Sequence, residues 1–316
     1  MRVKKQTSDK RLFKTYIKLG DTAILRAERV NMRETEKSLI EEMKKQLGDV
    51  TIEAKDIPKN NGVFQRGLSI LKEGQDVCPI LYMDHAIQEI EAGHVTVEKV
   101  AEKFVAAYEQ EISGNTFEDF RNFKPTRDMI LQSVLPCLVN AESNSKMLED
   151  VPHEKFLDLA VIFRVFPKKC ASFLVKNAML QGFDLSFEEL KAAAMRNAEG
   201  NTEIININDI LKEDGTPVPD DGDVSMYVIS STLGVFGANV LLFTNTFRNL
   251  SEKLDADLYI LPSSIHEVIV VPADGVEPER LKNMVGDVNA SVVDAEEILS
   301  ESVYKYSREK DEISIA

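Results

Sequence analysis

The chain has 316 residues, of which 43% are hydrophobic and 29% charged, and its formal charge is −15. That balance excludes wholesale disorder, a collagen and a multispanning membrane protein. A field of that sign repels phosphate backbones and anionic headgroups, so neither a membrane nor nucleic acid is the expected partner. The length is a prior for two domains.

Cys78, Cys137 and Cys170 are far apart and never form a CxxC pair. The spacing fits neither a disulfide framework nor a zinc ribbon, and it predicts reduced thiols in a cytoplasmic protein. The longest apolar stretch, Leu233 to Phe243, holds two Gly and an Asn and falls short of the ~18 residues of a spanning helix.

The first thirty residues carry +6 and the other 286 carry −21. This break predicts a flexible basic arm over residues 1–31, with Met32 as the start of the folded unit. The arm is the one place where nucleic acid would bind. From Thr35, the residues Leu39, Ile40, Met43 and Leu47 lie on one helical face, with Gly48 as the stop. Strands follow at 50–57, 63–71 and 77–83, the first two joined by Lys59-Asn60-Asn61-Gly62, whose Asn-Gly pair tolerates positive φ. Helices are expected over 84–92 and after Thr96. Residues 117–150 read as largely helical, with Thr126 as an N-cap and Pro136 as a kink or stop. These elements form a first domain over 32–150.

A second domain is expected over 151–316. It opens with strands at 156–166 and 171–175. Ser186 and Glu189 form a capping box for a helix over 187–198, ended by Gly200. The acidic stretch 213–223 reads as a loop. Strands are expected at 226–230, 239–243, 258–261 and 265–271, with a helix over 246–254 between the second and third. A helix from Pro278 and an edge hairpin at 303–306 and 313–315 complete the chain. Without regular βαβ alternation, the fold class is α+β: mixed, mainly antiparallel sheets with helices packed on them, in two subdomains.

The chain holds no GxxxxGK[ST] loop, no GxGxxG after a strand and no GxSxG elbow. His153-Glu154 and His266-Glu267 lack the second His of HExxH, since positions 157 and 270 are Leu157 and Val270. Asp214, Asp220, Asp221 and Asp223 do not match the spacing of a calcium loop. No metal and no cofactor are expected.

The best candidates for a binding site are polar groups set inside apolar runs: His153 in Val151 to Phe156, and Ser263, Ser264, His266 and Glu267 between two strands. On a strand, His266 and Glu267 point to opposite faces. A hydrogen-bonded His at a strand end is favoured over a nucleophile pair.

Three runs, Lys59-Asn60-Asn61-Gly62-Val63, Val151 to Phe163 (VPHEKFLDLAVIF) and Asp255 to Gly275 (DADLYILPSSIHEVIVVPADG), resemble a bacterial family known only as a domain of unknown function. The resemblance covers the chain from about Met32 to its end, and the third run is its most specific part. A more distant similarity points to a second uncharacterised bacterial family. Neither implies a catalytic residue.

The expected function is that of a cytoplasmic, non-catalytic binding or accessory protein whose partner is an unknown protein or small molecule. The alternative is a hydrolase or transferase that assembles His266, His153 and carboxylates from separate segments.

Overall fold

The computed structural model describes residues 22–72, 78–113, 124–168, 171–209 and 226–316. Several expectations lie outside the described residues: the arm over 1–21, the beginning of the third strand, the start of the 117–150 helical stretch, Cys170 and the acidic loop 213–223. The described chain divides into two compact units, one comprising 22–56 and 66–113 and the other 57–65 and 124–316. The fold class is α+β, with three mainly antiparallel sheets.

The first unit begins with α1 (Thr22–Leu47) and holds most of β1 (Thr51–Pro58) and β2 (Phe64–Leu71), whose connecting ends over 57–65 belong to the second, and β3 (Ile80–Tyr82); the three strands are neighbours in that order in one sheet. Helices α2 (Asp84–Glu91) and α3 (Val97–Ser113) complete it. The helix begins well before Thr35, which corrects the arm expected over 1–31 for its residues from Thr22 onward. The segment from Thr22 to Leu47 contains neither Gly nor Pro, and Ala23, Leu25, Arg26, Ala27 and Glu28 all favour helix. Leu39 and Met43 of α1 are fully buried with Leu68 and Ile70 of β2 and Ala101 and Tyr108 of α3.

The second unit contains two sheets. The four-stranded one is built from β4 (Val134–Asn140), β5 (Glu154–Phe156), β6 (Leu159–Lys168) and β7 (Ala171–Leu174); β6 pairs with β4 on one side and with β5 and β7 on the other. The pairing of β4 with β6 joins residues on both sides of position 150, where the sequence suggests a domain boundary. Ahead of β4, helix α4 (Arg127–Ser133) is capped by Thr126, whose hydroxyl accepts from the Met129 N–H. A short helix, α5 (Ser145–Leu148), lies between β4 and β5.

Residues 134–140 are therefore a strand and not helix. Six of the seven are buried, as in a strand covered on both faces. Pro136 fits because β4 is an edge strand. Its carbonyl accepts from Asn239 Nδ2 at 3.0 Å, and on an edge strand a proline can sit where its missing N–H is not needed for pairing. The run expected as one strand over 156–166 is divided by a tight turn at Leu157-Asp158, with Phe156 opposite Leu159 and Leu157 at φ 55°.

Helices α6 (Asn177–Gly182) and α7 (Phe187–Ala198) follow, and the Ser186–Glu189 capping box is present on α7. The six-stranded sheet has the order β13-β12-β10-β11-β9-β8, with β8 (Thr202–Asn206), β9 (Tyr227–Ser231), β10 (Leu258–Leu261), β11 (Glu267–Pro272), β12 (Tyr304–Ser307) and β13 (Glu312–Ile315). Between β9 and β10 run a 3₁₀ segment, Gly237–Leu242, and helix α8 (Thr244–Leu254); α9 (Pro278–Ser291) precedes β12. The strand expected at 239–243 is thus 3₁₀. Ala238, Val240 and Leu241 fill the core from that segment, and a short apolar run does not reveal its own period.

Side chains from both sheets meet in one core: Val161, Phe163 and Val165 of β6, Ile260 of β10, Val268 and Val270 of β11, and Leu190 and Ala194 of α7. On the other face of the larger sheet, Tyr259, Leu261 and Val271 pack against Leu281 and Val285 of α9. The pair formed by β10 and β11 is covered on both sides.

Candidate functional site

The chain crosses from β10 to β11 through Pro262–His266, and every polar atom of His266 has a partner there. Its N–H donates to Ser264 Oγ at 3.1 Å, and its carbonyl accepts from Ser230 Oγ at 3.0 Å and from the Gly237 N–H at 2.9 Å. Nδ1 accepts from the Phe236 N–H at 3.1 Å, which leaves the ring proton on Nε2, 3.4 Å from Glu297 Oε1. Phe236 stands at φ 53° and its ring lies 5.6 Å from the imidazole. The backbone of the corner is bonded as well: Ser263 and Pro262 carbonyls accept from the Leu299 and Ser300 N–H groups.

The structure thus brings Ser263, Ser264 and His266 together as a tie between the corner, the Phe236 loop and the 297–300 segment. Glu267 is exposed on β11, opposite Ser230. His153 is exposed and its Nδ1 bonds the Val151 carbonyl at 3.0 Å. It shares no hydrogen bond, ion pair or ring contact with His266.

A second constellation, absent from the sequence candidates, lines a cleft of about 390 Å³ in the same unit. Its wall is held by three asparagines. The Asn61 N–H donates to Asn144 Oδ1 and Asn144 Nδ2 donates to Asn61 Oδ1, both at 2.8 Å. Asn61 Nδ2 also donates to the Ala295 and Ile298 carbonyls, at 2.8 and 2.7 Å. Asn140 Nδ2 reaches the Leu299 carbonyl at 3.2 Å. Asn61 does this at φ 59°, a conformation Asn tolerates better than other side chains.

Opposite lies Asp158, placed by the turn between β5 and β6. Its Oδ2 accepts from Ser300 Oγ at 2.6 Å and Ser302 Oγ at 3.1 Å, and its Oδ1 from the Tyr304 hydroxyl at 2.5 Å. Ser300 Oγ itself accepts from the Ser302 N–H. Burial, and then the bond to Asp158, push the Tyr304 phenol far above its ordinary range, so it stays a donor. The lining includes the carboxylates of Glu142, Asp158 and Glu301 and no basic side chain.

Neither this cleft nor a second one, lined by Arg248, Tyr306, Arg308 and Asp311, includes His153 or His266. Among the described residues no group of three or more His, Cys, Asp or Glu side chains is arranged to hold a metal. Cys137 is fully buried, and that burial pushes its thiol up to about 12. No helix among the described residues is long and apolar enough to cross a membrane.

The cleft residues carry faint sequence signals. Asn61 belongs to the Asn-Asn-Gly turn, and Asp158 to the run from Val151 to Phe163. Their role depends on meeting Ser300 and Ser302, which lie in no motif. The model of a family of unknown function, DUF5688, matches residues 32–308. No curated protein and no solved structure matches the chain.

Proposed function

The chain belongs to that family of unknown function, and we propose that it is a cytoplasmic, non-catalytic binding or accessory protein whose ligand enters the cleft between Asn61 and Asp158. One observation carries the reading: the polar groups of the cleft are bonded to one another. Asp158 accepts from three hydroxyls, and the Asn61 and Asn144 amides are committed to each other and to backbone. Groups held this way keep their shape, which suits recognition. The remaining acceptor capacity, on exposed Glu142 and Glu301, selects a small ligand rich in hydrogen-bond donors, a polyol or an amine. Location in the cytoplasm is supported by the free thiols of Cys78 and Cys137.

Calorimetric titration of the full chain with a panel of polyols and amines tests this. The expected result is one saturable site that is weakened by Glu142→Gln and Glu301→Gln, both at exposed positions. Turnover of a hydrolase or transferase substrate that disappears in His266→Gln, with the fold intact, would replace this reading by the enzyme.

A further inference from the structure

Along β6 the side chains alternate between the core and the opposite face of the four-stranded sheet. Leu159, Val161, Phe163 and Val165 enter the core, while Ala160 and Ile162 join Cys137 and Val139 on the other side. By the same alternation Arg164 stands among these apolar residues. Its guanidinium has no carboxylate partner among the described residues. Nε and Nη2 both donate to one neutral acceptor, Ser172 Oγ, at 3.2 and 3.0 Å, and the group lies 5.2 Å from the centre of the Phe236 ring. This happens in a chain with 53 acidic residues.

A guanidinium keeps its charge at physiological pH, so its desolvation calls for a counter-charge. Burial does act against the charged form of Arg164. Ser172 occupies the side of the fork formed by Nε and Nη2. Among the described residues Nη1 makes no hydrogen bond, and Arg164 is only partly buried, so the end of the fork formed by Nη1 and Nη2 is the one left for an outside partner. That end matches a carboxylate, which takes two parallel N–H donors. On the same side of the sheet Leu174, the cross-strand neighbour of Arg164, and Phe166 and Phe236 are only partly buried, and the Phe166 and Phe236 rings meet edge to face at 6.0 Å.

We propose that Arg164, with Phe166, Leu174 and Phe236, forms a second binding site, distinct from the Asn61–Asp158 cleft, for a small organic carboxylate that carries an apolar body. The carboxylate takes the free end of the guanidinium and the apolar body covers the exposed edges of the rings. Inorganic phosphate, hydrated on all sides, offers nothing to those rings.

The test is calorimetric titration of the full chain with benzoate at constant ionic strength. One saturable site is expected, weakened by about tenfold or more in Arg164→Gln, unchanged in Glu142→Gln, and not displaced by equal concentrations of phosphate or chloride. No saturable binding, equal affinity in Arg164→Gln, or equal competition by phosphate would each overturn the proposal. If Arg164→Gln does not fold, the wild-type chain decides by nuclear magnetic resonance: the Arg164 Nε–Hε signal must shift with benzoate, and a stationary signal at saturation overturns the site.

Discussion

Asn61 and Asn144 are joined by two hydrogen bonds of 2.8 Å, one from the backbone N–H of Asn61 and one from the side chain of Asn144. Asn144 is 3% exposed, and its Nδ2 also reaches the Asn140 carbonyl at 2.9 Å. Asn144→Ala removes the acceptor of the Asn61 N–H and is expected to cost about 1–3 kcal/mol, the penalty for stranding largely buried polar groups. Asn144→Asp keeps that acceptor but sets carboxylate oxygens against Asn61 Oδ1 and the Asn140 carbonyl, so it should cost at least as much. Urea unfolding of the full chain measures both. A loss under about 0.5 kcal/mol for the alanine variant would mean that water replaces the pair.

Gly237 occupies a place where no side chain fits. A Cβ built on it would lie 2.3 Å from the Ser231 nitrogen and 2.5 Å from the His266 carbonyl oxygen, both backbone atoms of the region held by β9 and β11. Gly237→Ala should therefore cost about 3 kcal/mol or more, at the upper end of overpacking. Thermal unfolding checks it, and a loss below about 1 kcal/mol would show that the Phe236 loop can retreat.

The same corner gives His266 a structural role that can be tested by replacement and rescue. His266→Phe keeps the ring but leaves the Phe236 N–H without its acceptor, at an expected cost of about 1–3 kcal/mol. His266→Asn places an amide oxygen near the former Nδ1 and should recover part of that loss. If both variants melt like the wild type, the imidazole is not a structural tie, and the functional reading of the sequence candidates gains support.

Features that depend on neighbours in sequence were legible. The Ser186–Glu189 box and the Thr126 cap are local chemistry, and the Asn-Gly pair needs only its own positive φ, here 59° at Asn61 and 68° at Gly62. The pairing of β10 with β11 follows from two apolar runs separated by a Pro-Ser-Ser corner. Residues 134–140 and 239–243 misled because both are short apolar runs; position at a sheet edge made one a strand, and backbone crowding at Gly237 accompanies the 3₁₀ path of the other. The Asn61–Asp158 cleft was illegible for a different reason. Asn61 bonds a carbonyl 234 residues away, and Asp158 is satisfied by hydroxyls more than 140 residues away, so no local pattern records either meeting.

Asp257 gives the fold an acid-side dependence. Its carboxylate accepts from the Arg308 N–H at 3.0 Å and pairs with Lys305 Nζ at 2.9 Å, which holds it below the ordinary 3.8. A carboxylate lowered in the folded state adds stability that is fully present above its unfolded value and is lost as the pH falls through its folded value. Asp311, beside Arg248 and the Tyr306 hydroxyl, is lowered in the same direction. The melting temperature should therefore drop on acidification between about pH 5 and pH 2. Asp257→Asn should melt lower at neutral pH, and its curve should converge with the wild type at the acid end. A constant gap over that range would show that ionisation of Asp257 contributes nothing.

The most deeply placed pair of strands provides the last test. Ile260 of β10 and Val268 and Val270 of β11 are all 0% exposed and belong to the core shared by both sheets. Ile269 faces the other way, toward Tyr259, Leu261 and Leu281, and is only partly buried. Truncation costs the transfer energy of the lost methyl groups plus that of any cavity left behind, and a cavity persists only where neighbours cannot close it. Ile260 is enclosed by β11 and β12 on its two edges and by core side chains on its face, so Ile260→Ala should cost about 2–5 kcal/mol. Ile269→Ala removes the same atoms from a site that α9 covers only in part, so its cost should be smaller, about 1–2 kcal/mol. Chemical unfolding of the two variants side by side measures the difference. Equal losses would mean that α9 seals its face of the sheet as completely as the four-stranded sheet seals the other, and the partial burial of Ile269 would then be wrong.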